Sequence, residues 1–242
     1  MPHSLARFSV EDVQALGAAL RALPASAGSI ETEAQRLAET LYAELVDDDG
    51  APACALVRVY ATRRFESLDQ ELQDFAAAVL GETPAPTVQC LKLLGTAGDE
   101  PDWNDRARSQ GHRAIPLPSE QFVERLPMVA QLVRRLGLDI GVVVTPPEGA
   151  DALRLSQSAN DVFHVPEALG SPYLPAQEGF VEPHRIASAV GFGGIMLSGD
   201  FFAVLLFSHV PVDEATARTL KILGQVVRQR FLPFTQAVAV RA

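Results

Sequence analysis

The segment from Arg185 to Ser208 constrains this chain more than any other. Two apolar runs, Arg185–Met196 and Phe201–Ser208, are joined tightly around Ser198-Gly199-Asp200. A connection that short brings the second run back beside the first, so the pair reads as a β-hairpin. Gly199 supplies the positive φ that such a turn needs. The whole stretch Val190–Phe207 is apolar, but Gly193, Gly194, Ser198, Gly199 and Asp200 interrupt it. It is a hairpin and not a membrane span.

The remaining elements follow from periodicity and caps. Ser9, with Glu11 and Asp12 behind it, opens a helix whose stripe is Val13, Leu16, Leu20 and Leu23. Pro24–Ser29 is a small-residue break. A second helix begins after Ser29 with Ile30, Ala34, Leu37, Leu41 and Leu45 on one face, and stops at Asp47-Asp48-Asp49-Gly50. Ala53–Tyr60 alternates as a strand, with Ala55, Val57 and Val59 on one face and Cys54, Leu56, Arg58 and Tyr60 on the other.

Ser67 and Gln70 form a capping box for a third helix ending near Gly81. Strands are expected at Thr87–Gly95, His112–Leu117 and Ile140–Thr145, and a helical stretch divided by Pro127 between the last two. Thr96–Gly111 is a polar loop with the sole tryptophan, Trp103, and Pro146–Pro183 loses periodicity altogether. Asp213 caps a final helix carrying Ala217, Leu220, Leu223, Val227 and Phe231. These elements divide into an N-terminal helical extension (1–28) and one larger domain (29–242).

A chain of 242 residues with 48% hydrophobic and 21% charged residues builds a core without disulfides or metal. Its formal charge of −10 disfavours nucleic acid and anionic membranes as main partners. Lys92 and Lys221 are the only lysines among 20 basic residues, the Arg bias of a GC-rich, bacterial-type genome. Cys54 and Cys90 form no CxxC pair, and the N-terminal Leu/Ala run is broken by Glu11, Asp12 and Arg21, so a cytoplasmic location is expected.

Motifs for chemistry are scarce. Gly191-Phe192-Gly193-Gly194 lacks dinucleotide-loop spacing, because position 196 is Met and the chain continues as strand. His3, His112, His164, His184 and His209 are scattered without metal-ligand spacing, and no G-x-S-x-G elbow occurs. No catalytic residue, metal or cofactor is assigned, and the chain is expected not to be an enzyme.

The order of elements resembles a GAF domain. Three stretches carry the likeness: the helix from Ser29 through Asp47-Asp48-Asp49-Gly50 into Ala53–Tyr60; Leu91-Lys92-Leu93-Leu94-Gly95-Thr96-Ala97-Gly98 followed by Ala114-Ile115-Pro116-Leu117; and Ile186–Ser208 with its following helix. The chain departs from a minimal module by its extra N-terminal helix and its Pro-rich excursion. The resemblance implies an α/β (α+β) fold with a central antiparallel sheet, N- and C-terminal helices on one face, and loops roofing a small-molecule pocket on the other. It also implies a sensor that binds a small ligand, works as a homodimer and signals to a downstream protein. A ligand-free dimerisation and interaction module is the alternative, and an unrecognised enzyme a third.

On that frame Arg58 belongs on the ligand-facing side of the first strand with Tyr60, since burying it among apolar helix residues without a partner is costly. Trp103, His112, Arg113, His164 and Tyr173 are the loop and rim residues suited to stack on, or hydrogen-bond to, a small anion or planar ligand.

Overall fold

The computed structural model describes residues 2–24, 28–109, 111–158 and 161–239. Residues 25–27 of the expected break, residue 110 of the first long loop and residues 159–160 of the second lie outside the described residues.

A short parallel pair, β1 (His3–Ser4) and β2 (Leu45–Val46), brackets the first two helices, α1 (Val10–Ala22) and α2 (Ile30–Glu44). Ser9 and Asp12 form a reciprocal capping box on α1, and the Ser29 hydroxyl accepts the Thr32 amide on α2. Both caps satisfy amides that have no partner within the helix. Next come β3 (Cys54–Arg64), α3 (Gln70–Leu80), β4 (Gln89–Gly98) and β5 (Ala114–Leu117). The middle of the chain then folds as α4 (Glu120–Glu124), α5 (Pro127–Arg135), α6 (Ile140–Val144), α7 (Gly149–Gln157) and β6 (Phe163–Val165). The expected hairpin is β7 (Ser188–Ile195) and β8 (Phe201–Ser208), and the chain closes with α8 (Glu214–Leu220) and α9 (Leu223–Ala239).

Six strands form one sheet in the order β5-β4-β3-β8-β7-β6, antiparallel throughout. One face is covered by α2 over β3 and β4, and by α9 over β7, with α1 packed on both helices. Val57, Val59, Val204, Leu206 and Phe192 meet Leu37, Leu41, Leu220 and Phe231 there. The approach is close at Gly95, where any Cβ would sit 2.4 Å from the Ala34 backbone. The opposite face carries a second core containing Tyr60, Leu91, Leu205 and Phe207. This is the expected α+β, GAF-like arrangement.

Four local expectations are corrected. Ile140–Thr145 is the helix α6: the Asp139 carboxylate accepts the Gly141 amide at 2.7 Å and caps it, and packing against α4 and α5 overrides the strand preference of three consecutive valines. Asp69, not Ser67, caps α3, because the Ser67 hydroxyl turns back to the Arg64 carbonyl. Ala55 faces the second core and not the helices. A register shift against β8 between Cys54 and Leu56 breaks the alternation, so Cys54 joins Val57 and Val59 on the helix side. Finally, the second face is roofed by α4, α5 and α6 as well as by loops, and the Pro-rich excursion contributes α7, β6 and a π-helical turn at Gln177–Val181.

Candidate functional site

Where the second face meets its roof, the core opens into a cavity of about 400 Å³. The sheet supplies its floor: Leu56, Arg58 and Tyr60 from β3, Leu91 from β4, and Leu205 and Phe207 from β8. Helix α5 and the residue before it supply one wall through Leu126, Met128, Val129 and Leu132. The π-helical turn supplies another through Phe180, preceded by Leu174, Pro175 and Ala176. Trp103 closes a third side from a 3₁₀ turn, Pro101–Asn104, held by Asn104, whose side chain pairs with both backbone groups of Gly98.

The aromatic side chains brace one another. Trp103 meets Phe180 edge-on at 5.7 Å, and Phe180 meets Phe207 edge-on at 5.0 Å. Such contacts contribute beyond the area they bury. His184 lies against Trp103 at 4.4 Å between ring centres, with Glu100 at 3.8 Å. The result is a mostly apolar concavity with a few placed polar groups, the usual composition of a small-molecule site.

Arg58 is the one lining residue with a permanent charge. Its Nη1 donates to the Tyr60 hydroxyl at 3.1 Å and its Nη2 to the Ser109 hydroxyl at 2.9 Å. Its buried Nε has no hydrogen-bond partner, and no carboxylate pairs with Arg58 among the described residues. Three other cations are matched: Lys92 on β4 with Glu31, Arg63 on β3 with Asp200 and Arg113, just before β5, with Glu71, each at 2.8 Å. His112 sits beside Arg58 in the left-handed backbone region at φ 58°. Its side chain reaches solvent, yet the surrounding protein and then the Arg58 charge hold its pKa below the ordinary histidine value.

Four of the seven sequence-derived candidates, Arg58, Tyr60, Trp103 and His112, line this one cavity. The other three lie elsewhere. Arg113 turns to Glu71 on α3, and a ring nitrogen of His164 pairs with the Val212 carbonyl at 2.7 Å beside α8. Tyr173 packs against the second core outside the cavity lining. Sequence reasoning passed over Phe180, Met128, Leu132 and Ser109. Alternation along β8 does separate Leu205 and Phe207 from Val204 and Leu206, and the i, i+3, i+4 spacing of Val129, Leu132 and Val133 does mark an inward face of α5. Nothing in the aperiodic excursion marks Phe180.

Both thiols lie off the cavity. Cys54 is buried in the helix-side core and Cys90 beside α3, and burial pushes each up to about 12. Among the described residues no cluster of three or more His, Cys, Asp or Glu could hold a metal, and no helix is long and apolar enough to cross a membrane.

No family model matches the chain, and no curated relative matches it. Among solved structures it is similar to the X-ray structure of free methionine-R-sulfoxide reductase from Neisseria meningitidis in complex with its substrate. The match covers 98% of each chain at 13% identity, with a TM-score of 0.50. The expectation that this chain is not an enzyme is thereby corrected, because a solved enzyme shares its fold over nearly the full length and the fold gives no warrant against catalysis. At this identity the likeness extends to architecture alone: the chain has a GAF-like α+β fold.

Proposed function

We propose that the chain is a GAF-like module that binds a small molecule in the cavity between the sheet and α5. The observation that carries this reading is the cavity itself: about 400 Å³ walled by Trp103, Met128, Leu132, Phe180 and Phe207, with one cation, Arg58, at its floor. A concavity of that size, mostly apolar with a few placed polar groups, is the usual make-up of a small-molecule site. Homodimerisation and signalling to a partner belong to the same reading. Support for the dimer is confined to the helical layer, where Val10 on α1 and Ile222 before α9 are exposed by about half (58% and 48%).

The substrate of the solved reductase fits the lining residues poorly. A free amino acid presents an ammonium group, and among the described residues no Asp or Glu lines the cavity. Reducing a sulfoxide takes two electrons, and neither thiol of this chain reaches the cavity, so a reductant would have to bind beside the substrate.

The test is a fragment screen read by methyl NMR. Binding is expected to shift Met128, Leu132 and Leu205 while leaving Leu37 and Leu223 on the opposite face unchanged. Shifts confined to the opposite face, or none with any fragment, would overturn the reading.

A further inference from the structure

We infer that the cavity selects an apolar monoanion, a hydrophobic carboxylic acid in its ionised form, whose head group pairs with Arg58. The inference deepens the binding reading above and rests on it.

Arg58 enters the cavity floor as a permanent cation, half-buried among Leu56, Leu91, Leu205 and Phe207. A guanidinium carries five N–H groups. Two are taken by the hydroxyls of Tyr60 and Ser109, and the Nε–H is closed off without a partner. Among the described residues one N–H remains on each terminal nitrogen, the pair of donors that an end-on carboxylate takes together. Tyr60 and Ser109 offer hydroxyls and not carboxylates, so they hold the guanidinium in place without supplying a counter-charge. Lys92, Arg63 and Arg113 each have a carboxylate supplied by the chain; Arg58 has none among the described residues. A counter-anion from the ligand completes the arrangement.

The same residues limit the anion to a single charge. Arg58 is the one permanent cation among the described lining residues, and its charge disfavours a second one on the neighbouring His112 imidazole. A phosphate monoester or a nucleoside polyphosphate would bring two or more negative charges to one cation inside an apolar wall. An ammonium ligand would meet Arg58 with no carboxylate in the lining to offset it. Beyond the head group the wall offers aromatic and aliphatic surface from Trp103, Phe180, Phe207, Met128 and Leu132, which suits an aryl or alkyl body.

The test uses matched triplets on the full chain: phenylacetate, 4-phenylbutyrate and octanoate, each beside its primary amide and its amine. Titration calorimetry at pH 7.5 is run on the wild type and on Arg58→Gln. The expected result is at least tenfold tighter binding of carboxylates than of amides, with amines weakest and the preference lost in Arg58→Gln. Equal binding of carboxylate and amide in the wild type would overturn the inference while leaving the cavity reading intact, and needs no variant to fold. A preference that survives Arg58→Gln would overturn it too. Failure of every member to bind would overturn both.

Discussion

Arg58 and Ser109 are tied by a 2.9 Å hydrogen bond from Nη2 to the hydroxyl, linking the middle of the sheet to the loop that carries Trp103 and His112. Ser109 is 1% exposed although Arg106, Ala107 and Arg108 before it on the loop are open to solvent. The bond is therefore one anchor by which the loop is registered on the cavity, beside that of Asn104 on Gly98, and its removal frees a further N–H of a partly buried cation.

Ser109→Ala is expected to destabilise the domain by about 1.5–3 kcal/mol, the range for a hydrogen bond to a charged group. Urea unfolding should show a lower midpoint with an unchanged slope. A midpoint equal to that of the wild type would mean that the loop is held by other contacts.

The His112 imidazole is lowered first by burial and second by the Arg58 charge. NMR titration should place its pKa below the ordinary histidine value. In Arg58→Gln it should rise, because one of the two causes is gone. A titration unmoved by that substitution would separate the two residues electrostatically.

Two glycines with the same backbone conformation separate strain from collision. Gly50 and Gly199 both have φ of +85°, but a Cβ at Gly50 meets nothing within 4 Å, whereas one at Gly199 would lie 2.1 Å from the Pro147 carbonyl oxygen. Gly50→Ala should cost about 1 kcal/mol from the left-handed conformation alone. Gly199→Ala should cost about 2–4 kcal/mol, because the turn or the Pro146–Pro147 segment must also move. Equal losses of thermal stability would show that the close approach carries no energy.

Glu31 and Lys92 join α2 to β4 through a 2.8 Å ion pair. Burial by itself would raise the Glu31 carboxyl, but the Lys92 hydrogen bond and charge outweigh it and hold the group at about 2. A carboxyl depressed on folding contributes stability that is full above its unfolded value and is lost as pH falls through the folded one. The stability profile should therefore fall between about pH 4.5 and 2, and Glu31→Gln should flatten that limb. An unchanged acid limb would assign it to other carboxylates.

How much of this was legible in the sequence depends on whether a residue's role is local. The hairpin around Gly199, the Ser9 and Asp213 caps and the stripes of α1 and α2 rest on neighbours within a few positions, and all are present in the structure. The single final helix expected from Asp213 to Pro233, by contrast, is broken after Leu220 into α8 and α9, and α9 runs on through Pro233. Arg58 and Tyr60 were placed on the cavity side by simple alternation. Ala55 was not, because a bulge is set by pairing with β8, which no local pattern reveals. Val142–Val144 read as strand for the same reason: the helix is imposed by the Asp139 cap and by its neighbours in space. Phe180 escaped entirely, since its place depends on Trp103 and Phe207, far from it in the chain.

The central claim is that the cavity is where a small molecule binds, and Trp103, the only tryptophan, forms part of its wall. The most direct measurement is the emission of Trp103 as 4-phenylbutyrate is titrated in, recorded beside calorimetry on the same sample. The account predicts a saturable change in emission, at one site per chain, with the affinity that calorimetry reports. Calorimetric binding with Trp103 emission unchanged would place the ligand elsewhere on the molecule and contradict the account.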